Sequence, residues 1–272
     1  MAAKALFADA AARDRLSLFL ALGVVIALAW GYLLYMGWGM QHMDVGVHMA
    51  IMPRMTGWAG VDLLLVFLMW AIMMVAMMLP SAMPMILVFA ALDRQRRTGG
   101  QARLAHVGAF VAGYLAIWAI FSLIATFAQW RLLEARLVSP MMESSSPTLG
   151  GLLLIAAGVF QFTTLKQACL AMCRSPLSFL MTQWRPGASG AFIMGAKHGI
   201  YCAGCCWLLM ALLFVLGVMN VLWIIALTLL VLVEKTSPRA RWLSFATGVV
   251  LIAWGGARTV PCRDARLIFS PG

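Results

Sequence analysis

Residues Gly195–Lys235 read GAKHGIYCAGCCWLLMALLFVLGVMNVLWIIALTLLVLVEK and form one nearly continuous apolar run. The run is about twice as long as the ~20 residues that an α-helix needs to cross a bilayer. Its only interruption is at residues 217–220, where we expect a tight turn. The run therefore predicts two spanning helices. A lysine, a histidine and three cysteines lie in the first of them, where burial is costly unless chemistry compensates it.

The composition of the whole chain also indicates a membrane protein. The chain is 64% hydrophobic and only 11% charged, with a mean hydropathy of +0.94, whereas soluble domains are about half apolar and a quarter charged. Its 272 residues fit one helical bundle. The net charge of +11 comes from basic residues concentrated in loops, as membrane topology demands. We therefore expect the lipid bilayer, and no nucleic acid, as the partner of this surface.

Other apolar runs raise the expected number of spans to about six or seven. The predicted spans are residues 16–36, 62–92, 104–128, 149–169, 191–216, 221–233 and 242–256. The first is interpreted as an uncleaved anchor, since no small-residue cleavage site follows its basic flank. We predict an all-α polytopic bundle at residues 16–257, with a flank at 1–15, an outer loop at 39–61 and a tail at 258–272.

The distribution of lysine and arginine predicts the orientation. Basic residues cluster in the loops after the second, fourth and sixth spans, which lie on the side of the N-terminus if there are seven spans. The positive-inside rule makes that side cytoplasmic. A multi-pass protein of the bacterial inner membrane follows. Arg258, Arg263 and Arg266 in the tail would then lie outside, so six and seven spans both stay open.

One face of the fifth predicted span carries nitrogen and sulfur ligands. At about 100° per residue, His198, Cys202 and Cys205 fall within about 40° of one another, with Met194 one turn earlier and Cys206 at the edge. Thiolate and thioether groups favour Cu(I), zinc or iron–sulfur centres, and imidazole suits copper and zinc. A bound cation would compensate the buried thiolates. The alternative is that the cysteines pack as small hydrophobes and His198 hydrogen-bonds another helix.

A second cysteine pair lies in CLAMC, at Cys169 and Cys173. Their i,i+4 spacing places both on one helical face. The pair lies at the membrane side from which the fifth span enters, so the two sulfur groups share one half of the membrane. They form one site or two successive sites. A solvent-facing reduced pair is the alternative.

The second predicted span is rich in methionine and broken by Pro80 and Pro84. Its sequence WAIMMVAMMLPSAMPM covers residues 70–85. Most of these methionines are explained by flexible core packing. For Met77, Met78 and Met83, beside the proline break, we predict a role as soft ligands or in permeation.

The first outer loop combines methionine with histidine. Residues 40–55 read MQHMDVGVHMAIMPRM and include His42, Met43, His48 and Met49. Thioethers cannot form disulfides, so such a segment suits copper capture in an oxidising compartment.

Other chemistries have little support in the sequence. It contains no phosphate loop, no His-Glu-x-x-His and no Gly-x-Ser-x-Gly. Only 9 residues are acidic, and the predicted spans contain essentially none beyond Asp62 at an edge. This pattern argues against a carboxylate proton relay and against a di-iron carboxylate site.

Three segments resemble a bacterial family of predicted metal-binding integral membrane proteins. They are the methionine-rich segment quoted above, FQFTTLKQACLAMCRSPLSFL at residues 160–180, and the run at 195–235. The likeness extends from about Asp62 to Lys235, and Phe160 departs from the tyrosine expected there. It implies a multi-span protein that binds metal, without an established reaction. The ligands it implies are His198, Cys202, Cys205, Cys206, Cys169 and Cys173.

These observations give three functional hypotheses. The leading one is a protein that captures, transports or delivers Cu(I), with zinc as the alternative metal and a periplasmic or membrane metal-delivery protein or an oxidoreductase complex as partner. The second is an intramembrane thiol–disulfide oxidoreductase using Cys202 and Cys205, with Lys197 or His198 supplying positive charge. The third is an accessory or assembly subunit of a larger oxidoreductase, with His198 and His106 ligating haem. The sequence favours metal handling over a stand-alone enzyme.

Overall fold

A computed structural model describes residues 2–41, 60–96, 103–135, 147–218, 220–237 and 240–259. The described residues form helices and no strands, so the all-α prediction is confirmed for them. The helices are α1 (Ala2–Gln41), α2 (Gly60–Gln95), α3 (Arg103–Glu134), α4 (Pro147–Phe160), α5 (Thr164–Arg174), α6 (Pro176–Gln183), α7 (Gly187–Ala211), α8 (Leu213–Leu216), α9 (Val221–Thr236) and α10 (Ala240–Thr259). His42, Met43, His48 and Met49 lie outside the described residues.

Among the described residues, four stretches are long and apolar enough to cross a membrane. They are Arg15–Gly39, Gly60–Gln95, Leu104–Glu134 and Gly187–Leu216. Helices α4 and α5 add a fifth if this pair, bent by 64°, is one broken span. Helix α9 has 16 residues and is shorter than the ~20 that a perpendicular span needs. These lengths are consistent with a membrane protein, whereas six or seven spans and a cytoplasmic N-terminus are not confirmed.

The fourth predicted span, residues 149–169, is not one continuous helix. Helix α4 ends at Phe160, where Gln161, Phe162 and Thr163 donate backbone hydrogen bonds to residues three positions earlier. Such tight turns end a helix by using up its last carbonyls. Helix α5 then starts in a new direction, because the Thr163 side chain caps it by accepting from the Lys166 amide at 3.3 Å.

The proline break in α2 is satisfied by neighbouring helices. Pro80 has no amide hydrogen, so the carbonyl of Ala76 lacks its usual partner within the helix. Trp30 on α1 donates its indole Nε1–H to that carbonyl at 3.2 Å. Tyr114 on α3 donates its hydroxyl to the Met78 carbonyl at 3.0 Å. Side chains of α1 and α3 therefore both bond to α2 carbonyls near the break, and the Ala76 carbonyl is the one that Pro80 leaves free.

Helices α3 and α7 cross at very short range because both present glycine at the contact. A Cβ atom on Gly195 would collide with the carbonyl oxygen of Phe110, and one on Gly113 would collide with that of Phe192. Small residues let membrane helices approach to backbone contact. This contact fixes the rotation of α7 and thereby decides which of its faces is turned into the bundle.

Helix α10 packs on α4 in a similar way. A Cβ on Gly255 would lie 2.7 Å from the Gly151 carbonyl oxygen, and one on Gly158 would lie 2.8 Å from that of Gly248. This second glycine contact joins apolar helices and carries no titratable side chain at the positions named.

Two carboxylates are buried where the sequence predicted none. Asp93 near the end of α2 is 4% exposed, and Glu234 near the end of α9 is 2% exposed. The expectation of essentially no acidic residue beyond Asp62 was wrong for these helices. The predicted spans stopped one residue short of both carboxylates, while the helices continue and supply basic partners on other elements.

Candidate metal centre

The ligand-bearing face of α7 is turned into the bundle. Met194, His198, Cys202, Cys205 and Cys206 are all buried, and the most exposed of them, His198, has only 3% of its surface accessible. The opposite face is open, with Ile200 and Trp207 exposed. The inward orientation that the spacing predicted is therefore confirmed, whereas the ligand role of these side chains stays a prediction.

A buried lysine contacts the central cysteine. Lys235 Nζ lies 2.9 Å from Cys202 Sγ and also donates to Ser81 Oγ at 3.0 Å. The Tyr114 hydroxyl lies 3.1 Å from the same sulfur. Sequence analysis had placed Lys235 in a loop, but α9 continues to Thr236 and carries it into the bundle. The cation beside Cys202 is thus Lys235, while Lys197 donates to Gln183 Oε1 at 2.6 Å.

The next two cysteines contact a backbone carbonyl, and Cys206 also lies close to a thioether. The thiols of Cys205 and Cys206 are 3.1 and 3.0 Å from the Cys202 carbonyl oxygen. Cys206 Sγ is also 3.9 Å from Met78 Sδ on α2. A metal–sulfur bond of about 2.3 Å, as for zinc thiolates, allows two sulfurs on one metal to lie up to about 4.6 Å apart. The pair Cys206 and Met78 is therefore already within bridging distance.

The second cysteine pair joins the first. The Cys173 thiol on α5 adjoins the thiol of Cys205 on α7. Cys169 Sγ lies where a Cβ on Gly204 would be only 2.9 Å away, so glycine makes room for this sulfur. Cys169 and Cys173 are partly buried. The two sulfur groups that the sequence left as one site or two are therefore continuous, and we call Cys202, Cys205, Cys206, Cys173 and Met78 the sulfur cluster.

The remaining predicted methionine ligands pack in the core. Met77 is 1% exposed, and Met194 is fully buried. Met83 is partly buried against the core. The structure thus places Met78 in contact with the cysteines and gives Met77, Met83 and Met194 a packing environment nearby.

His198 is enclosed by aromatic rings. Its ring centroid lies 5.5 Å from that of Tyr114, 5.8 Å from Phe179 and 6.4 Å from Phe110. Its Nδ1 atom is buried and has no hydrogen-bond partner among the described residues. Buried polar atoms normally have a partner, so this nitrogen remains available to a cation. His106, in contrast, is buried with its Nδ1 at 3.1 Å from Asp93 Oδ1, so this nitrogen already has a hydrogen-bond partner.

The sulfur cluster is not a preformed chelate. Within the described ranges, no three His, Cys, Asp or Glu side chains are grouped as they would be around a metal ion. The hydrogen bonds explain this arrangement, because Cys205 and Cys206 are turned toward a backbone carbonyl and Cys202 toward Lys235. Thiol rotation would bring these donors onto a soft cation, and the donor types suit Cu(I).

A second buried polar group lies beside the sulfur cluster. Lys166 Nζ is 2.8 Å from Glu234 Oε2, and Ser244 Oγ donates to Glu234 Oε1 at 3.0 Å. We call these three residues the ionic cluster. Sequence reasoning missed it together with Tyr114, Ser81 and Lys235. The available signal was the Glu-Lys pair that ends an apolar run, but its partners lie far away in sequence.

Comparison with known proteins identifies a family for this chain. A family model described as "PpoB2: Copper chaperone" matches residues 67–258, which is more than half of the chain. The matched region includes both the sulfur cluster and the ionic cluster, and it excludes α1 and the outer loop. No curated protein and no solved structure matches the chain.

Proposed function

The chain belongs to the PpoB2 copper chaperone family, and we propose that it binds Cu(I) as cargo at the sulfur cluster and delivers it to a partner. The family supports an association with copper. It gives no support to zinc, the alternative metal. The binding residues, the direction of transfer and the location in the bacterial inner membrane are parts of the proposal.

The contact between Cys206 and Met78 supports the proposal most strongly. Their sulfur atoms are 3.9 Å apart, and both residues are almost fully buried. A mixed thiolate and thioether pair favours Cu(I), whereas zinc sites are built from cysteine, histidine and carboxylate. Cys202 and the free Nδ1 of His198 are further donors on the same face of α7.

Continuity between the two sulfur groups suggests how copper would leave. Cys202, Cys205 and Cys206 are buried, while Cys173 and Cys169 on α5 are partly accessible. Cys205 and Cys173 adjoin each other, so the next ligand would be near before the previous one is released. Copper would therefore pass from the buried thiols to α5 by ligand exchange, and a metal-delivery partner or an oxidoreductase complex would take it there.

The outer loop completes the proposed route on the other side. His42, Met43, His48 and Met49 would capture copper from an oxidising compartment, where thioethers resist disulfide formation. Met77, Met78 and Met83 on α2 would connect this loop with the cluster.

Elemental analysis with X-ray absorption on the purified full chain tests the proposal. Protein prepared with Cu(I) under reducing conditions should contain roughly stoichiometric copper with mainly sulfur ligands. Cys206→Ser and Met78→Leu should each lose most of it. Met69→Leu is the matched control, since Met69 is also buried on α2 but lies nine residues from Met78, about 13 Å along the helix. Copper-free wild-type protein would refute the proposal, and so would equal losses in Met69→Leu and Met78→Leu.

Thiol–disulfide exchange is a second candidate, favoured by the contact between Lys235 and Cys202. A neighbouring ammonium stabilises the thiolate that performs exchange. Exchange also needs access to the sulfur, and Cys202 is fully buried. A mixed disulfide trapped at Cys202 in Cys205→Ser would support this function. Thiols that stay unchanged across a redox titration would exclude it.

A further inference from the structure

We infer that Lys235 determines the charge of the ion that the sulfur cluster accepts, so that a monovalent soft cation is preferred over a divalent one. The inference rests on the function proposed above and adds a selectivity-determining residue to it. Lys235 is not a metal ligand in this view. It acts as a fixed positive charge beside the ligands.

The position of Lys235 differs from that of an ordinary buried lysine. It is 8% exposed, and its ammonium donates to a thiol and a hydroxyl, Cys202 Sγ and Ser81 Oγ. The buried carboxylate of Glu234, the preceding residue, is already paired with Lys166 and Ser244. The positive charge of Lys235 is therefore directed at the sulfur atoms.

The charge balance then discriminates between metals. A metal held by two thiolates, at Cys202 and Cys206, beside the Lys235 ammonium would meet one net negative charge. A monovalent ion brings the buried group to zero, and Met78 adds a neutral donor. A divalent ion leaves one uncompensated positive charge inside an apolar bundle, which is strongly unfavourable.

A divalent ion would need a third thiolate to restore neutrality. Cys205 is the remaining thiol of α7, and to supply it the hydrogen bond that this thiol donates to the Cys202 carbonyl oxygen at 3.1 Å would have to be broken. Neutralising Lys235 reverses the balance, because two thiolates then match a divalent ion and leave a monovalent ion with excess negative charge. The sign of the preference thus depends on one side chain.

Competition titrations of the purified full chain with Cu(I) and with Zn(II) test this inference. The variants are Lys235→Met, which removes the charge, and Lys235→Gln, whose amide keeps a donor for Ser81 if the methionine variant does not fold. Lys235→Arg keeps the charge. Lys197→Met is the matched control, since Lys197 is a partly buried lysine on α7 that is bonded to Gln183.

The ratio of Cu(I) to Zn(II) affinity should fall at least about tenfold in Lys235→Met or Lys235→Gln, which corresponds to about 1.4 kcal/mol. It should stay near the wild-type value in Lys235→Arg and in Lys197→Met. The inference would be overturned if the ratio of Cu(I) to Zn(II) affinity were unchanged in both neutral variants, or if the affinities for the two metals fell equally. Either result would leave the proposed function intact. Wild-type protein that binds neither metal would overturn the proposed function itself.

Discussion

Lys166 and Lys235 are both buried, yet their surroundings differ. In the ionic cluster, Lys166 meets the carboxylate of Glu234, and Ser244 completes the hydrogen bonding. Beside the sulfur cluster, Lys235, which follows Glu234 on α9, contacts a thiol and a hydroxyl. Burial of a charge therefore does not reveal its role. A carboxylate partner cancels the charge permanently, whereas a thiol partner can also bind a metal.

Removing the charge of Lys166 should have the largest effect on stability. Lys166→Met leaves Glu234 buried without its cation, which should lower the free energy of unfolding by about 3–5 kcal/mol. Unfolding of the purified protein in detergent measures this change. The double variant Lys166→Met with Glu234→Gln should recover part of the loss, because no uncompensated charge remains. A single variant as stable as wild type would show that the two lysines do not differ in this way.

Removing the hydroxyl of Ser244 should have an intermediate effect. Ser244→Ala deletes one hydrogen bond to the buried carboxylate, and bonds to charged groups contribute about 1.5–3 kcal/mol. The same unfolding assay measures it, with Ser178→Ala on the exposed surface of α6 as control. Equal stability of the two variants would contradict a structural role for the ionic cluster.

Removing the hydroxyl of Tyr114 should cost less, about 1 kcal/mol, because it affects neutral hydrogen bonds. Tyr114→Phe keeps the ring beside His198 but removes one of the two hydroxyls that donate to the Met78 carbonyl and one polar neighbour of the Cys202 sulfur. The partly buried Tyr201 provides the control Tyr201→Phe. A loss as large as that of Lys166→Met would mean that the sulfur cluster is as important for the fold as the ionic cluster.

Filling the space beside Cys169 should have the smallest effect. Gly204→Ala places a methyl group 2.9 Å from Cys169 Sγ, and this side chain can rotate away. We expect unfolding free energy within about 0.5 kcal/mol of wild type and faster alkylation of Cys169. Gly195→Ala is the stiff counterpart, because its methyl group meets the Phe110 carbonyl, and overpacking of that kind costs about 1–3 kcal/mol. A Gly204→Ala variant as unstable as Gly195→Ala would show that Cys169 and α5 cannot move to make room for the added methyl group.

The local sequence predicted the features that depend on helical periodicity, namely which side chains share a face of a helix. The spacing of His198, Cys202 and Cys205 fixes their common face, and an apolar bundle must turn polar groups inward, so their burial followed. The bend after Phe160 could not be read in the same way, because no proline marks it and tight backbone turns at residues 161–163 decide it.

The partners of the two clusters could not be predicted because they depend on tertiary contacts. Lys235 and Cys202 are 33 positions apart, and Lys166 and Glu234 are 68 apart. Composition places Lys235 at the end of a span, where lysine usually marks a cytoplasmic loop. Only the packing of α9 against α2 and α7 reveals that its side chain points toward sulfur.

The hydrogen bond from Trp30 to the Ala76 carbonyl gives α1 an orientation. Between Arg15 and Gly39, α1 presents exposed apolar side chains, such as Phe19, Val24 and Leu28. In a lipid environment such a surface gains nothing from one rotation over another, since acyl chains are as apolar as leucine. The indole–carbonyl hydrogen bond is directional. It therefore sets both the rotation of α1 about its own axis and its depth relative to α2. The carbonyl of Ala76, which Pro80 leaves without an amide partner, thereby orients α1, a helix that lies outside the matched family region.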